Sequence, residues 1–147
     1  MEYNRSTIVN IIEAFRKSEE LTQTELGKML NMSLRGYCQK ENLKRDFKLT
    51  EILKAFEIFD INLKVGTTII NNYKDILKVI IDKRKSSKLS QDLIRQKIGL
   101  KSHPAYSQKE LGKTSFTLIE FIDLCNILEL RITIEYNLNN QNVKVVL

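Results

Sequence analysis

The sequence predicts a mainly α protein built from two copies of one small helical unit, with a short β-hairpin at its C-terminal end. Three observations lead to this fold class. Residues 4–65 recur as residues 72–134, at an offset of 68 positions and, after the first turn, of 69. Apolar residues in each copy recur at the spacing of amphipathic helices, whereas residues 131–147 alternate like strands. A period this long in only two copies indicates a duplicated domain and not a solenoid.

The recurrence includes identical residues at both apolar and polar positions. Matching pairs are Asn4/Asn72, Ile8/Ile76, Ile12/Ile80, Arg16/Arg84, Leu21/Leu89, Gln23/Gln91, Ser33/Ser102, Tyr37/Tyr106, Gln39/Gln108, Lys40/Lys109, Glu41/Glu110, Phe47/Phe116 and Leu49/Leu118. We therefore divide the chain into copy one (residues 1–65), a linker (66–72) and copy two (73–147), which includes the hairpin at 131–147.

Start and stop signals place four helices in copy one. Thr22 and Glu25 have the spacing of a capping box, which predicts the start of a short second helix that ends at Asn31. Ser33 caps a third helix. The remaining helices are predicted over residues 6–17 and 49–59. Two short helices joined by so short a turn form a helix-turn-helix element.

Copy two repeats this series and then departs from helix. Its helices are predicted over residues 73–85, 90–98, 102–111 and 118–128. Two β-rich runs at 131–137 and 143–147 flank turn residues and form the hairpin. In copy one the short run 63–65 matches the first of these strands, and we hypothesise that pairing between the two joins the copies into one unit.

Composition narrows the class of function. The net charge is +6, and by halves it is +1 for residues 1–68 and +5 for residues 69–147, which favours a polyanionic partner. No apolar run approaches the ~20 residues of a membrane span and no signal peptide is evident, so we expect a cytoplasmic protein without a membrane partner. The two cysteines and one histidine form no metal-binding or catalytic pattern. We expect no cofactor, no metal and no enzymatic activity.

The stretch from Leu21 to Ser33 (LTQTELGKMLNMS), continued by Tyr37-x-Gln-Lys-Glu-Asn42 and Phe47-x-Leu-x-Glu51, resembles the lambda-repressor/Cro-type (XRE) helix-turn-helix family. In copy two the same pattern runs through residues 105–113 and 116–120. The resemblance implies duplicated four-to-five-helix lambda-repressor-like domains. It also implies a sequence-specific double-stranded DNA-binding regulator of transcription, of the phage or mobile-element repressor type.

The resemblance also implies roles for individual residues. Third-helix residues would contact base edges, and these are Leu34, Arg35, Gln39, His103 and Gln108. Residues that start the second helix or follow the third would contact phosphates, and these are Gln23, Asn42, Lys44, Arg45, Gln91, Lys101 and Lys113. Two ion pairs would tie the first helix to the third, namely Arg16–Glu41 and Arg84–Glu110. His103-Pro104 replaces Leu34-Arg35, so we expect copy one to read bases and copy two to anchor on phosphates.

Further expectations follow from individual positions. Tyr37 and Tyr106 stand where the family has a buried apolar residue, so we expect both in the core. Asp60 and Glu129 stand where the family ends its fourth helix with glycine, and we therefore expect these helices to run on.

Two alternatives to a simple DNA-binding chain remain open. One is a protein-interaction module on the same scaffold, as in antitoxins and phage-encoded inhibitors of host proteins. The other is a homodimer in which one copy binds DNA and the other joins two chains through the hairpin.

Overall fold

The structure, a computed structural model, describes residues 2–147. Helices and strands follow one another in the same order twice. The first half contains α1 (Glu2–Ser18), α2 (Gln23–Met29), α3 (Leu34–Glu41), α4 (Leu49–Ile58), β1 (Asn62–Val65) and β2 (Thr68–Ile70). The second half contains α5 (Tyr73–Ser86), α6 (Gln91–Lys97), α7 (His103–Glu110), α8 (Leu118–Ile127), β3 (Ile132–Leu138) and β4 (Gln141–Val146). A mainly α chain with a C-terminal hairpin is thus confirmed.

The short helices begin where the sequence places their caps. The Thr22 hydroxyl accepts from the Glu25 amide at 3.0 Å, and the Glu25 carboxylate accepts from the Thr22 amide at 3.0 Å. This reciprocal pair is the predicted capping box. The Ser33 hydroxyl accepts from the Gly36 amide at 3.1 Å and starts α3. Asn31 ends the α2 turn with a φ of 58°, in the left-handed region that asparagine tolerates.

The segment 66–72, predicted to be a linker, contains a strand. Residues 68–70 form β2, which pairs antiparallel with β1 in the register Leu63↔Ile70. Ile70 is buried at 9% exposure, and burying this side chain offsets the cost of ordering the segment. The C-terminal hairpin lies where the sequence predicts it. Its turn residues Asn139 and Asn140 both have positive φ, as a two-residue type I′ turn requires.

One antiparallel sheet contains the strands of both halves. Its order is β2-β1-β3-β4, so the central pair joins copy one to copy two. The register of this pair includes Leu63↔Ile134 and Val65↔Ile132. All four of these side chains are buried. The hypothesis that the short run 63–65 pairs across the copies is therefore confirmed.

Contacts between the halves come in equivalent sets, related by the same offset of 69 positions that relates the two copies in sequence. Lys64 pairs with Thr133, and an isolated bridge joins Lys48 to Thr117, each between residues 69 positions apart. Around the bridge the Leu49 amide donates to the Phe116 carbonyl at 2.8 Å. The equivalent Leu118 amide donates to the Phe47 carbonyl at 2.9 Å. Such reciprocal contacts define a two-fold relation, and its axis passes between Lys64 and Thr133 and between Lys48 and Thr117.

The expectation that the fourth helices run on is wrong. Both helices end before Asp60 and Glu129, which take φ values of 56° and 55°. The Ile61 amide donates back to the Phe56 carbonyl at 2.8 Å, and the Leu130 amide does so to Cys125 at 2.8 Å. These are the bonds of a Schellman motif. Ile61 is also buried at 6% exposure, so this contact offsets the strain of a non-glycine residue in the left-handed region.

The core runs through both halves without interruption. Tyr37 and Tyr106 are completely buried, as predicted from their positions. Phe15 of α1 lies 5.4 Å, centroid to centroid, from Phe59 and the same distance from Tyr136 of β3. Because Tyr136 belongs to copy two, this aromatic cluster joins the copies beneath the sheet.

Candidate nucleic-acid interface

The outer face of α3 is free of the rest of the molecule. Tyr37 and Glu41 point inward and are buried, which turns the opposite side of the helix to solvent. Leu34 is 50% exposed and Arg35 is exposed at the start of the helix, while Gln39 is half-buried one turn later. The three residues predicted to face bases in copy one therefore lie on one accessible side of α3.

The orientation of α3 is fixed by the carboxylate of Glu41. Arg16 of α1 donates to it from Nε and from Nη2, each at 2.9 Å. Gln23 of α2 donates to the same group at 3.1 Å, and the Tyr37 hydroxyl donates to it as well. Arg16 also donates from Nη1 to the Leu21 carbonyl at 2.9 Å. One buried carboxylate therefore links the first, second and third helices.

The ionised state of this carboxylate is favoured in the fold. Desolvation raises the pKa of Glu41, but hydrogen bonds from Arg16, Tyr37 and Gln23 together hold that pKa below its ordinary value. Burial, with the hydrogen bond to Glu41 as the second cause, raises the pKa of Tyr37 far above its usual range. Tyr37 therefore remains a neutral donor, and the ion pair predicted between Arg16 and Glu41 is present in the structure.

Gln23, assigned to a phosphate, has a role inside the fold. Its Nε2 donates to Glu41, and its Oε1 accepts from the Cys38 Sγ at 3.0 Å. The amide nitrogen carries two hydrogens, and the structure engages one of them with protein. Gln23 is half-buried at the start of α2, so the second hydrogen remains available to a phosphate.

Basic and polar residues follow α3 directly. Asn42, Lys44 and Arg45 are all exposed. The backbone here is anchored by Arg5 of α1, whose Nη2 donates to the carbonyls of Leu43 and Arg45, each at 3.0 Å. The sequence reasoning missed Arg5. The sequence feature that could have indicated its role is a single arginine one turn before the apolar residues of α1.

Copy two rebuilds the arginine and glutamine contacts of this network around Glu110, but the Tyr106 hydroxyl, unlike that of Tyr37, has no hydrogen-bond partner among the described residues. Arg84 donates to Glu110 from Nε at 3.0 Å and from Nη2 at 2.7 Å, so the second predicted ion pair is also present. Gln91 donates to Glu110 at 3.0 Å. His103, however, places its Nε2 2.8 Å from the Oε1 of Gln91. The imidazole is therefore partly engaged with α6 instead of pointing straight outward.

The remaining predicted residues of copy two are exposed but differ in chemistry from those of copy one. Gln108, Lys101 and Lys113 are accessible to solvent. At the position of Asn42, copy two has Leu111, which is 67% exposed. The position of Arg35 is occupied by Pro104, which has no donor to offer to DNA. The two positions that carry Arg35 and Asn42 in copy one thus carry no polar side chain in copy two.

Two further, partly buried ion pairs hold the third helices against the fourth. Lys40 lies 2.8 Å from Glu51, and Lys109 lies 2.7 Å from Glu120, each measured from Nζ to Oε1. The sequence reasoning assigned no role to these residues. Their signal was the recurrence of both lysines and both glutamates at equivalent positions of the repeat.

We also looked among the described residues for metal sites, membrane-spanning helices and reactive cysteines. Among residues 2–147, no group of three or more His, Cys, Asp and Glu side chains is arranged to hold a metal ion. No helix in that range is long and apolar enough to cross a membrane. Cys38 is half-buried, and burial raises the pKa of the Cys125 thiol to about 12.

Comparison of the chain with protein-family models, curated proteins and solved structures finds no match.

Proposed function

We propose that this chain is a sequence-specific double-stranded DNA-binding regulator of transcription that uses two tandem helix-turn-helix modules of the lambda-repressor/Cro type. The phage or mobile-element repressors are the class it resembles. The observation that carries the proposal is the accessible outer face of α3, with Arg35 and Gln39 on it. Glu41 clamps α2 and α3 in a fixed relation behind that face. This is the arrangement that a recognition helix needs in a major groove.

The two-fold relation between the halves supports binding by both modules at once. A rotation leaves the height of an atom along the axis unchanged. Because the axis passes between Lys48 and Thr117, at the starts of α4 and α8, the rotation relates α3 to α7, and we expect these two helices to lie at the same level along the axis. For dimers of this family, half-sites lie about one helical turn, ~34 Å, apart. We expect one chain to occupy two such half-sites.

The two modules would contribute unequally. In copy one, Arg35 can bond a guanine bidentately and Gln39 an adenine, while Leu34 can contact a thymine methyl group. In copy two, His103 and Gln108 remain as candidate base contacts. Gln91, Lys101 and Lys113 would bind phosphates there, as Gln23, Asn42 and Lys44 would in copy one. The predicted operator is accordingly asymmetric.

The first experiment measures binding to duplex DNA as a function of salt. Binding through Z phosphates should weaken with a slope near −0.9Z on a log–log plot. Arg35→Ala should weaken binding to a selected operator by about 1–3 kcal/mol and leave binding to random duplex nearly unchanged. The matched control, Lys113→Ala, removes an exposed cation and should weaken binding to both duplexes alike.

Equal losses on the operator and on random duplex from Arg35→Ala would contradict base reading by α3. Absence of duplex binding even at ~50 mM salt would contradict the proposed function altogether, because electrostatic attraction is strongest there.

A second candidate is supported by the surface of copy two. Leu93, 38% exposed, and Leu111, 67% exposed, stand at the positions of Glu25 and Asn42 in copy one. Exposed apolar residues in place of polar ones favour a protein partner over a phosphate backbone. In that case the scaffold would serve as a protein-interaction module, and Leu111→Asn would weaken its complex with the partner.

A further inference from the structure

The side chain of Arg45 turns back toward α3, although the segment that carries it follows the end of that helix. A Cβ added to Gly36 would lie 3.9 Å from Nη1 of Arg45. Gly36 belongs to the first turn of α3, the turn that also carries Arg35. The guanidinium of Arg45 therefore lies back along the helix, beside the end of α3 that a recognition helix presents to bases.

The backbone from which this side chain extends is held in place. The Arg45 amide donates to the Gln39 carbonyl at 3.2 Å, and its carbonyl accepts from Arg5 at 3.0 Å. Arg5 is itself buried, at 7% exposure, and lies 3.5 Å from the Asp46 carboxylate. Arg45 thus starts from a rigid position on the protein, which favours directional bonds over loose attraction to a phosphate.

The electrostatics of this turn are unfavourable in the free protein. The N-terminal end of a helix carries partial positive charge, and the first turn of α3 contains no acidic residue. Two guanidinium groups, those of Arg35 and Arg45, lie at this end. Within residues 2–147 neither of them forms an ion pair with a carboxylate. Local conflicts of this kind are expected where a ligand resolves them.

We propose that Arg45 reads a base edge next to the one read by Arg35 and is a specificity determinant, not a phosphate contact. The inference rests on the proposed DNA-binding function and names the substrate more closely: a half-site with two nearby guanines. A planar guanidinium matches the O6 and N7 acceptors of guanine. The guanidinium lies against the helix beside Gly36, at van der Waals distance from the position of a Cβ there. In copy two the equivalent residues are Ala105 and Thr114, so the feature is confined to copy one.

The test uses the full chain and duplexes selected from a random pool. Arg45→Lys keeps the charge but loses the planar fork. It should weaken binding to the wild-type selected duplex about tenfold or more and relax the preference at one guanine position. Binding to a random duplex at the same salt should change by less than about twofold. The matched control is Arg131→Lys, the same charge-conserving change at an exposed arginine just before β3 that has no assigned role in binding, which should leave the selected sequence unchanged.

Two outcomes would overturn the inference, and they differ from each other. If Arg45→Lys keeps wild-type affinity and base preference while Arg35→Ala loses them, Arg45 contributes only charge and the proposed function stands. If the wild-type chain selects no sequence from the pool, base reading fails as a whole and the role of Arg45 fails with it. Thermal unfolding of each variant confirms that it is folded, which is expected because both side chains are exposed.

Discussion

The two halves of the chain keep the same interior and differ in the surface around their third helices. In both, an arginine of the first helix binds a glutamate at the end of the third, at 2.9 Å for Arg16–Glu41 and 2.7 Å for Arg84–Glu110. In both, a tyrosine of the third helix is completely buried. Each arginine and glutamate forms this pair away from water, so a change in either partner leaves a desolvated polar atom.

The surfaces carry no such constraint and differ at corresponding positions. The exposed left-handed residue between the first two helices is Glu20 in copy one and Lys88 in copy two. The net charges of residues 1–68 and 69–147 are +1 and +5. One scaffold thus supports a surface rich in directional donors and another that is more basic and more apolar. The comparison teaches that a shared interior and different surface chemistry are compatible within one chain.

The largest expected effect comes from removing the central carboxylates. Glu41→Ala and Glu110→Ala should each lower the free energy of unfolding by about 3–5 kcal/mol, because each leaves a buried arginine unpaired. Glu41→Ala should cost more, since it also deprives Tyr37 of its acceptor. Urea denaturation at pH 7 measures both. The control is Lys78→Ala, which breaks the exposed pair with Asp82 and should cost under about 0.5 kcal/mol. If Lys78→Ala lowered the free energy of unfolding as much as Glu41→Ala and Glu110→Ala, the structural role of the buried pairs would be contradicted.

Acid should destabilise both halves through the same two groups. The folded-state pKa values of Glu41 and Glu110 are lowered, so their contribution to stability is complete above the ordinary value near 4.5 and is lost as the pH falls below it. Each carboxyl should reduce the free energy of unfolding by up to roughly 1.4 kcal/mol per pH unit in that range. Denaturation between pH 6 and pH 3 measures the slope. In Glu110→Gln the slope should be shallower, and an unchanged slope would exclude Glu110 as a source.

Giving α7 the first two residues of α3 should sharpen the comparison. His103→Leu combined with Pro104→Arg places an exposed arginine on α7, whose N-cap Ser102 remains. Under the proposed function, this variant should gain about 1–3 kcal/mol on a duplex whose second half-site copies the first. Selection from a random pool measures the change, with His103→Leu alone as the control. A selected sequence identical to that of the wild type would show that α7 does not meet base edges.

The smallest expected effect concerns the ends of the fourth helices. Glu129→Gly should raise the free energy of unfolding by about 0.5–1 kcal/mol, because glutamate is strained at a φ of 55° and glycine is not. Asp60→Gly should gain less, since aspartate tolerates this conformation better. Thermal denaturation compares the two variants. A larger gain at Asp60 would mean that interactions of its side chain, and not backbone strain, decide stability there.

Features set by short stretches of sequence were predictable, and features set by distant packing were not. The capping box at Thr22 and the Arg16–Glu41 pair follow from spacing and from the repeat. Strand β2 was missed because its β-branched run, residues 67–70, is only four residues long and follows β1 almost directly, so it reads as part of a linker. The end of α4 before Asp60 was missed because the packing of Ile61 outweighs a local preference. In the candidate site, exposure of Arg35 follows from helical periodicity, but the course of the Arg45 side chain does not.

Because the sheet crosses the two-fold axis within one chain, it affects how the occupancy of an operator would depend on protein concentration. A regulator assembled from separate subunits must first associate, so its occupancy of an operator rises steeply with concentration. Here β1 and β3 belong to one polypeptide, and the pair is complete as soon as the chain has folded. Under the proposed function, titration of a duplex with the monomeric chain should therefore give a one-to-one complex along a simple hyperbola, with no threshold as the protein is diluted.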